Sequence, residues 1–182
     1  MCVMKVIKKG HLSKEEIEKM WRDNPDGAGI GIIDINNNLL EPFKTKNLDE
    51  LQDKLEEIFE KQEFNLVVVH FRNRSKGSHG LVNVNPIDLK NKAMFFHNGT
   101  IEYLNDEDLS DSNLFARDYL NTISDFDISE PSTLESIQNY LGNNISRMVF
   151  IQDGNPTPLI IDNSEKGYWN EDGNIWTSKK GY

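Results

Sequence analysis

The stretch FNLVVVHFRNRSKG, residues 64–77, decides how the rest of the chain is read. Its first part, Phe64 to Phe71, is a short apolar run with three consecutive valines. β-Branched residues suit a pleated, packed surface, so the run predicts a buried strand that delivers His70 and Arg72 at its end. A polar stretch with Gly77 and Gly80 follows.

Upstream, Leu48, Leu51, Leu55, Ile58 and Phe59 recur at helical spacing between Asn47 and Gln62, with Asn47 and Glu50 as start signals. Before that helix, NPDGAG at Asn24 to Gly29 is turn chemistry leading into the apolar run Ile30 to Ile35. The Asn36 to Asn38 triplet then predicts a turn into another strand, which makes a hairpin. Cys2 to Ile7 reads as a first strand, and Ser13 to Trp21 as a short helix opened by a capping box of Ser13 and Glu16. Downstream, Ala93 to Phe96 predicts a strand that stops at HNG. Helical patterns cover Ser112 to Ile123 and Ser132 to Leu141, and strands resume at Arg147 to Ile151, Leu159 to Ile161 and Asn174 to Thr177. No repeat or linker divides the chain, so residues 1–182 are expected to form a single domain. Strands, then helices, then strands again predict mixed α+β layering.

Composition narrows the function. The chain has 182 residues, 37% of them hydrophobic, enough for one globular core. Its formal net charge of -10 has the wrong sign for gripping phosphate backbones, so no direct nucleic-acid ligand is expected. No apolar run is long enough to span a bilayer and no secretory leader pattern opens the chain, which predicts no membrane association and a cytoplasmic location. Neither a cofactor nor a metal is expected: one cysteine supplies no zinc cluster, and His11, His70, His79 and His97 do not fall at ligand spacing.

That cysteine is Cys2. An N-terminal cysteine would carry its own base, because a free α-amino group with a pKa of about 7.7 to 8.0 accepts a proton near neutral pH. Methionine aminopeptidases remove Met1 when a small residue follows, and Met1-Cys2 is compatible with that. From position alone two readings stand open, a buried small hydrophobe or a reactive thiol.

HFRNRSKG at His70 to Gly77, NVNP at Asn83 to Pro86 and HNG at His97 to Gly99 bear on the choice. With Cys2, the Asp26 to Gly29 turn and the Ser110-Asp111 pair, they form an ordered set from residue 2 to about residue 120 that resembles the class II glutamine amidotransferases. The resemblance implies a four-layer α/β/β/α sandwich of two antiparallel sheets, the N-terminal-nucleophile hydrolase fold. It also implies an enzyme in which Cys2 attacks the side-chain amide of glutamine, passes through a glutamyl thioester and releases ammonia. Asn98 and Gly99 would form the oxyanion hole, a role that suits a side-chain amide and a closely approachable backbone N–H. Arg72 would bind the α-carboxylate, Asp111 the α-ammonium group, and Ser75 would keep the hydroxyl of the family's usual Thr. Taken singly, Asn98-Gly99 reads as an ordinary turn, Arg72 as a surface ion-pair partner and Asp111 as a first-turn helix residue.

Three positions depart from the family pattern: Lys76 and Asn85 stand where many members have His, and Arg74 replaces a small residue. His97 is expected to pack or hydrogen-bond beside the oxyanion residues. Family members usually pass ammonia to a fused synthase domain; a chain ending at Tyr182 implies instead a separate acceptor subunit, or a simple glutaminase. The rival readings are an N-terminal-cysteine hydrolase of other acyl amides, which would need an apolar acyl pocket, and a silent glutamine-binding or regulatory module of the same fold.

Overall fold

A computed structural model describes residues 2–182. The strands are β1 (Val3–Ile7), β2 (Ala28–Asp34), β3 (Phe43–Thr45), β4 (Phe64–Phe71), β5 (Ile87–Leu89), β6 (Ala93–Gly99), β7 (Ser146–Gln152), β8 (Asn155–Asp162), β9 (Tyr168–Trp169) and β10 (Ile175–Thr177). The helices are α1 (Lys14–Asp23), α2 (Leu48–Lys61), α3 (Asp111–Asp118) and α4 (Pro131–Leu141). Six strands form one sheet in the order β3-β2-β4-β1-β10-β9 and four form a second in the order β5-β6-β7-β8. All pairings are antiparallel.

Strand alternation sorts the core into three layers of side chains. Val3 and Ile7 of β1 and Val67, Val69 and Phe71 of β4 pack with Ile17 and Met20 of α1 and Leu51, Leu55 and Ile58 of α2. The alternate residues Met4, Val6, Leu66 and Val68 face Met94, Phe96, Val149 and Ile151 of the second sheet. Phe95, Met148 and Phe150 turn the other way, onto Phe115 of α3 and Ile137 and Leu141 of α4. The result is the α/β/β/α sandwich that the family resemblance implied.

On β2 the inward positions are Gly29 and Gly31, while Ala28, Ile30 and Ile32 face the helices. A Cβ on Gly31 would lie 2.8 Å from Phe96 Cζ, and one on Gly29 would fall into the Asn85 carbonyl oxygen. These glycines let the second sheet and its loop come close.

The first two expected helices form with their start signals in place. The Glu16 amide donates to Ser13 Oγ at 3.2 Å and the Ser13 amide to Glu16 Oε2 at 2.9 Å, while Asn47 Oδ1 accepts from Asp49 at 2.8 Å. The hairpin forms as β2 and β3, with Asn37 at φ 67° in its connection. Several boundaries differ. The helix expected over Ser112 to Ile123 is α3 plus a separate 3-10 turn at Leu120–Thr122. Strand β8 runs well beyond Leu159 to Ile161, through Pro156 and Pro158, which an edge strand tolerates because one row of its amides faces no partner. Strands β5 and β9 are too short to leave a period in the sequence.

Phe96 is fully buried between the sheets, whereas Ile35 is 57% exposed at the end of the β2 run. Phe96→Ala is expected to cost about 3–5 kcal/mol, read from urea unfolding, and Ile35→Ala no more than about 0.5 kcal/mol.

Candidate active site

The inward rows of β1, β4, β6, β7 and β10 end in polar residues at the same end of the sandwich. One alternation step beyond Met4 lies Cys2; beyond Val68 come His70 and Arg72; beyond Phe96, Asn98; beyond Val149, Arg147; beyond Trp176, Ser178. The register brings them together, since Met4 pairs with His70 and Asn98 with Arg147.

Cys2 and Gly99 line one open cavity of about 1020 Å³, with Asn73, Arg74, Ser75, Glu102, Arg147 and Lys166 also on its walls. Cys2 is half-buried, and its Sγ lies 3.3 Å from the Asn73 amide nitrogen and 3.4 Å from the Asn73 carbonyl oxygen. Burial pushes the thiol pKa up, against the Asn73 N–H and the nearby Arg72 charge, which pull it down. At neutral pH the group is therefore a thiol rather than a thiolate.

Asn98 is fully buried. Its Nδ2 donates to Ser178 Oγ at 2.9 Å, and its Oδ1 has no hydrogen-bond partner among the described residues. The strand that was expected to stop at HNG continues through it, because Asn98 and Gly99 pair with Arg147 and Ser146 of β7; the asparagine-glycine turn is thereby corrected. Space explains the glycine: a Cβ on Gly99 would sit 2.9 Å from His97 Nε2 and 3.0 Å from the Ile145 carbonyl oxygen. His97 packs as expected, its ring nitrogens 2.9 Å from Ser112 Oγ and 3.1 Å from Ser146 Oγ.

Arg72 is buried, which removes the surface ion-pair reading. It donates through Nη1 to the Ser78 carbonyl at 3.2 Å and through Nη2 to the Lys76 carbonyl at 3.0 Å. Asp111 is the first residue of α3 and is buried; its Oδ2 accepts from the Ile101 amide at 2.7 Å and its Oδ1 from the Ser112 amide at 3.0 Å. Neither residue lines the cavity, while Ser75 does, its Oγ 3.5 Å from Thr100 Oγ. Burial pushes the Arg72 guanidinium pKa down, against Cys2, Asp26 and, more weakly, Asp111, which pull it up.

The three departing residues are all engaged. Lys76 Nζ donates to the carbonyls of Ile101, Glu102 and Leu104 at 3.1, 3.0 and 2.8 Å, which uses all three of its protons. Asn85 Oδ1 accepts the His97 amide at 3.1 Å. The Arg74 amide donates to Asp26 Oδ2 at 2.8 Å, tying the loop to the Asp26 turn. Sequence reasoning passed over Ser178 and Arg147. Nothing local marks either one; only the inward alternation of β10 and β7 would have placed them at the site.

Among the described residues, no group of His, Cys, Asp and Glu is arranged to hold a metal. No helix among them is long and apolar enough to cross a membrane.

Comparison with solved structures follows the same architecture. Glutamine phosphoribosylpyrophosphate amidotransferase from B. subtilis, in complex with ADP and GMP, superposes with a TM-score of 0.54 at 16% identity, covering 97% of this chain and 41% of that one. A structure described as the allosteric regulatory enzyme of purine biosynthesis gives 0.53 at 15% identity with the same coverage. A glutamine aminotransferase class-II domain protein from Silicibacter pomeroyi gives 0.51 at 14% identity, covering 97% of this chain and 87% of that one. The chain has the fold of class II glutamine amidotransferase domains. It spans about two-fifths of the first two structures. No family model and no curated protein sequence matches the chain.

His70 gives this end of the sandwich a pH signature. Burial drives its pKa down to about 3, with its Nε2–H donating to the His97 carbonyl at 3.0 Å; burial lowers His97 as well. An unfolded histidine titrates near 6.5, so below that pH the unfolded chain binds more protons and stability is lost as pH falls. From His70 alone the loss is about 1.4 kcal/mol per pH unit. Urea unfolding at pH 7.5, 6 and 5 is expected to show the decline, and His70→Gln to flatten it by about one proton's worth.

Proposed function

We propose that this chain is a glutamine amidohydrolase that works through Cys2. The observation that carries the reading is that the Cys2 thiol and Gly99 line one cavity, with Asn98 at the polar end of the β6 inward row and Arg72 and Asp111 buried. The glutamine-linked descriptions of the structures that share the fold support it. Residues 1–182 are taken as one domain of this kind.

The thiol is protonated at neutral pH and needs a base. Among the described residues its hydrogen bonds are to Asn73 backbone groups, which take no proton. We assign the base to the Cys2 α-amine, freed by removal of Met1, a step that lies outside the described residues. Sulfur then adds to the side-chain carbonyl carbon of glutamine, and the thiol proton passes to the amine. The resulting oxyanion is held by Asn98 Nδ2 and the Gly99 N–H. Collapse expels ammonia, which takes the proton from the amine and leaves a glutamyl thioester on Cys2. Water, deprotonated by the same amine, hydrolyses the thioester to glutamate. Arg72 would bind the α-carboxylate, Asp111 the α-ammonium group, and Ser75 would hydrogen-bond substrate or its loop.

Arg74, Glu102, Arg147 and Lys166 on the walls favour a polar amino-acid substrate over an apolar acyl amide. Ammonia would go to a separate synthase subunit or to solvent. A working free thiol suits a reducing compartment, and we place the protein in the cytoplasm.

The test is ammonia release from glutamine together with intact-mass analysis before and after exposure to a chloroketone analogue of glutamine. Active protein is expected to lack Met1 and to carry one label on Cys2, and Cys2→Ala to lose at least about a thousandfold in kcat. Active protein that retains Met1, or a label elsewhere, overturns the mechanism. Absence of turnover with a retained glutamine-dependent role would make the chain a binding module.

A further inference from the structure

Ser178 lies just past β10, fully buried, in the last inward position of its row. Its Oγ accepts two hydrogen bonds, from the Met4 amide at 2.9 Å and from Asn98 Nδ2 at 2.9 Å, which occupies both lone pairs of the hydroxyl. The first partner belongs to the strand that begins beside Cys2; the second is the proposed oxyanion donor. The Ser178 main chain is fixed on both sides, its amide donating to the Met4 carbonyl at 3.0 Å and its carbonyl accepting from Arg147 Nη1 at 3.0 Å. Arg147 Nε in turn reaches the Asn98 carbonyl at 3.4 Å.

Among the described residues, the Ser178 hydroxyl is the one hydrogen-bond partner of the Asn98 side chain, because Oδ1 is buried without one. A carboxamide held at one point by one N–H keeps its second N–H in a set direction. Without that point, no hydrogen bond from the described residues opposes rotation about its last side-chain bond. The geometry points to Ser178 as a positioning residue: its hydroxyl orients the Asn98 amide relative to the nucleophile strand so that the free Nδ2–H meets the developing oxyanion. Ser178 touches no substrate; it acts through Asn98. The inference rests on the glutamine reading above and adds to it a residue from the far end of the chain.

The test compares wild type with Ser178→Ala and Ser178→Thr in three readouts: kcat and KM for glutamine, thermal midpoint, and inhibition by glutamate γ-semialdehyde against inhibition by glutamate. The aldehyde takes the Cys2 sulfur on its carbonyl carbon, and the thiol proton ends on the aldehyde oxygen, giving a tetrahedral hemithioacetal whose oxygen needs the same donor. Glutamate forms no such adduct. Ser178→Ala is expected to lower kcat about ten- to a hundredfold with KM within about threefold, and to lower the affinity for aldehyde relative to glutamate by a similar factor. Ser178→Thr, which keeps both acceptor lone pairs, restores the ratio. A folded Ser178→Ala protein with wild-type kcat overturns the proposal. So does a loss of midpoint and activity with the aldehyde-to-glutamate ratio unchanged, which marks a purely structural serine. If Ser178→Ala does not fold, Ser178→Cys, a weaker acceptor in the same place, is expected to show intermediate kcat at unchanged KM; wild-type kcat there also overturns the proposal. Wild-type protein that releases no ammonia from glutamine defeats the glutamine reading itself, a result distinct from each of these.

Discussion

Two sheets that face each other across a closed layer leave every inward side chain two states, apolar or paired. An unpaired buried polar group costs about 1–3 kcal/mol, and a few such losses would consume a domain's net stability. The protein meets most of this constraint by segregation along the strands, and the two inward atoms without a partner among the described residues, His70 Nδ1 and Asn98 Oδ1, lie at the polar end. Val6, Leu66, Met94 and Ile151 form a dry layer, and the same rows end in Cys2, His70, Arg72, Asn98, Arg147 and Ser178. Because the side-chain period is two, a one-residue slip of β1 would turn Cys2 toward α1 and Val3 into the polar end. Register therefore carries both the core and the placement of the thiol.

The parts of this arrangement that were legible in the sequence are those with a local cause. Three valines in β4, the Ser13 and Glu16 capping box, and the leucine spacing of α2 each report their own environment. The first half of β8 escaped because Pro156 and Pro158 argue against a strand unless it is known to lie at an edge, which is a property of the whole sheet. HNG was ambiguous for a similar reason. Asn98 and Gly99 favour a turn by propensity, and only pairing with Arg147 and Ser146 draws them into β6. Ser178 and Arg147 had no local signal, since their importance comes from what faces them across 80 and 49 residues of chain.

The departures from the family pattern look different once their partners are known. Asn85 Oδ1 caps the His97 amide beside the Asn98 strand end, a task for any side-chain acceptor of that reach. Lys76 spends its ammonium on three carbonyls of the 101–104 segment, so its charge ties down backbone and its backbone carbonyl holds Arg72. Arg74 is fastened through its main chain to Asp26, leaving its side chain on the cavity wall. All three residues act on the loop and strand backbone around the cavity rather than on the thiol itself.

The same economy governs Arg72 and Asp111. Each is buried, and a buried charge is tolerated only when its partners are fixed. Arg72 uses Nη1 and Nη2 on two loop carbonyls, and a guanidinium has five N–H donors, so a carboxylate can be added without releasing the loop. Asp111 accepts one amide on each oxygen and has lone pairs to spare. On the proposed function, a free amino acid bearing both an α-carboxylate and an α-ammonium group would complete both charges at once. A ligand with only one would cover a second buried charge without pairing it. On the proposed function, discrimination for a free amino acid therefore comes less from the attraction at either end than from the cost of leaving one member of this pair desolvated and alone. It depends on the loop segments 72–78 and 101–104 staying ordered around the two charges.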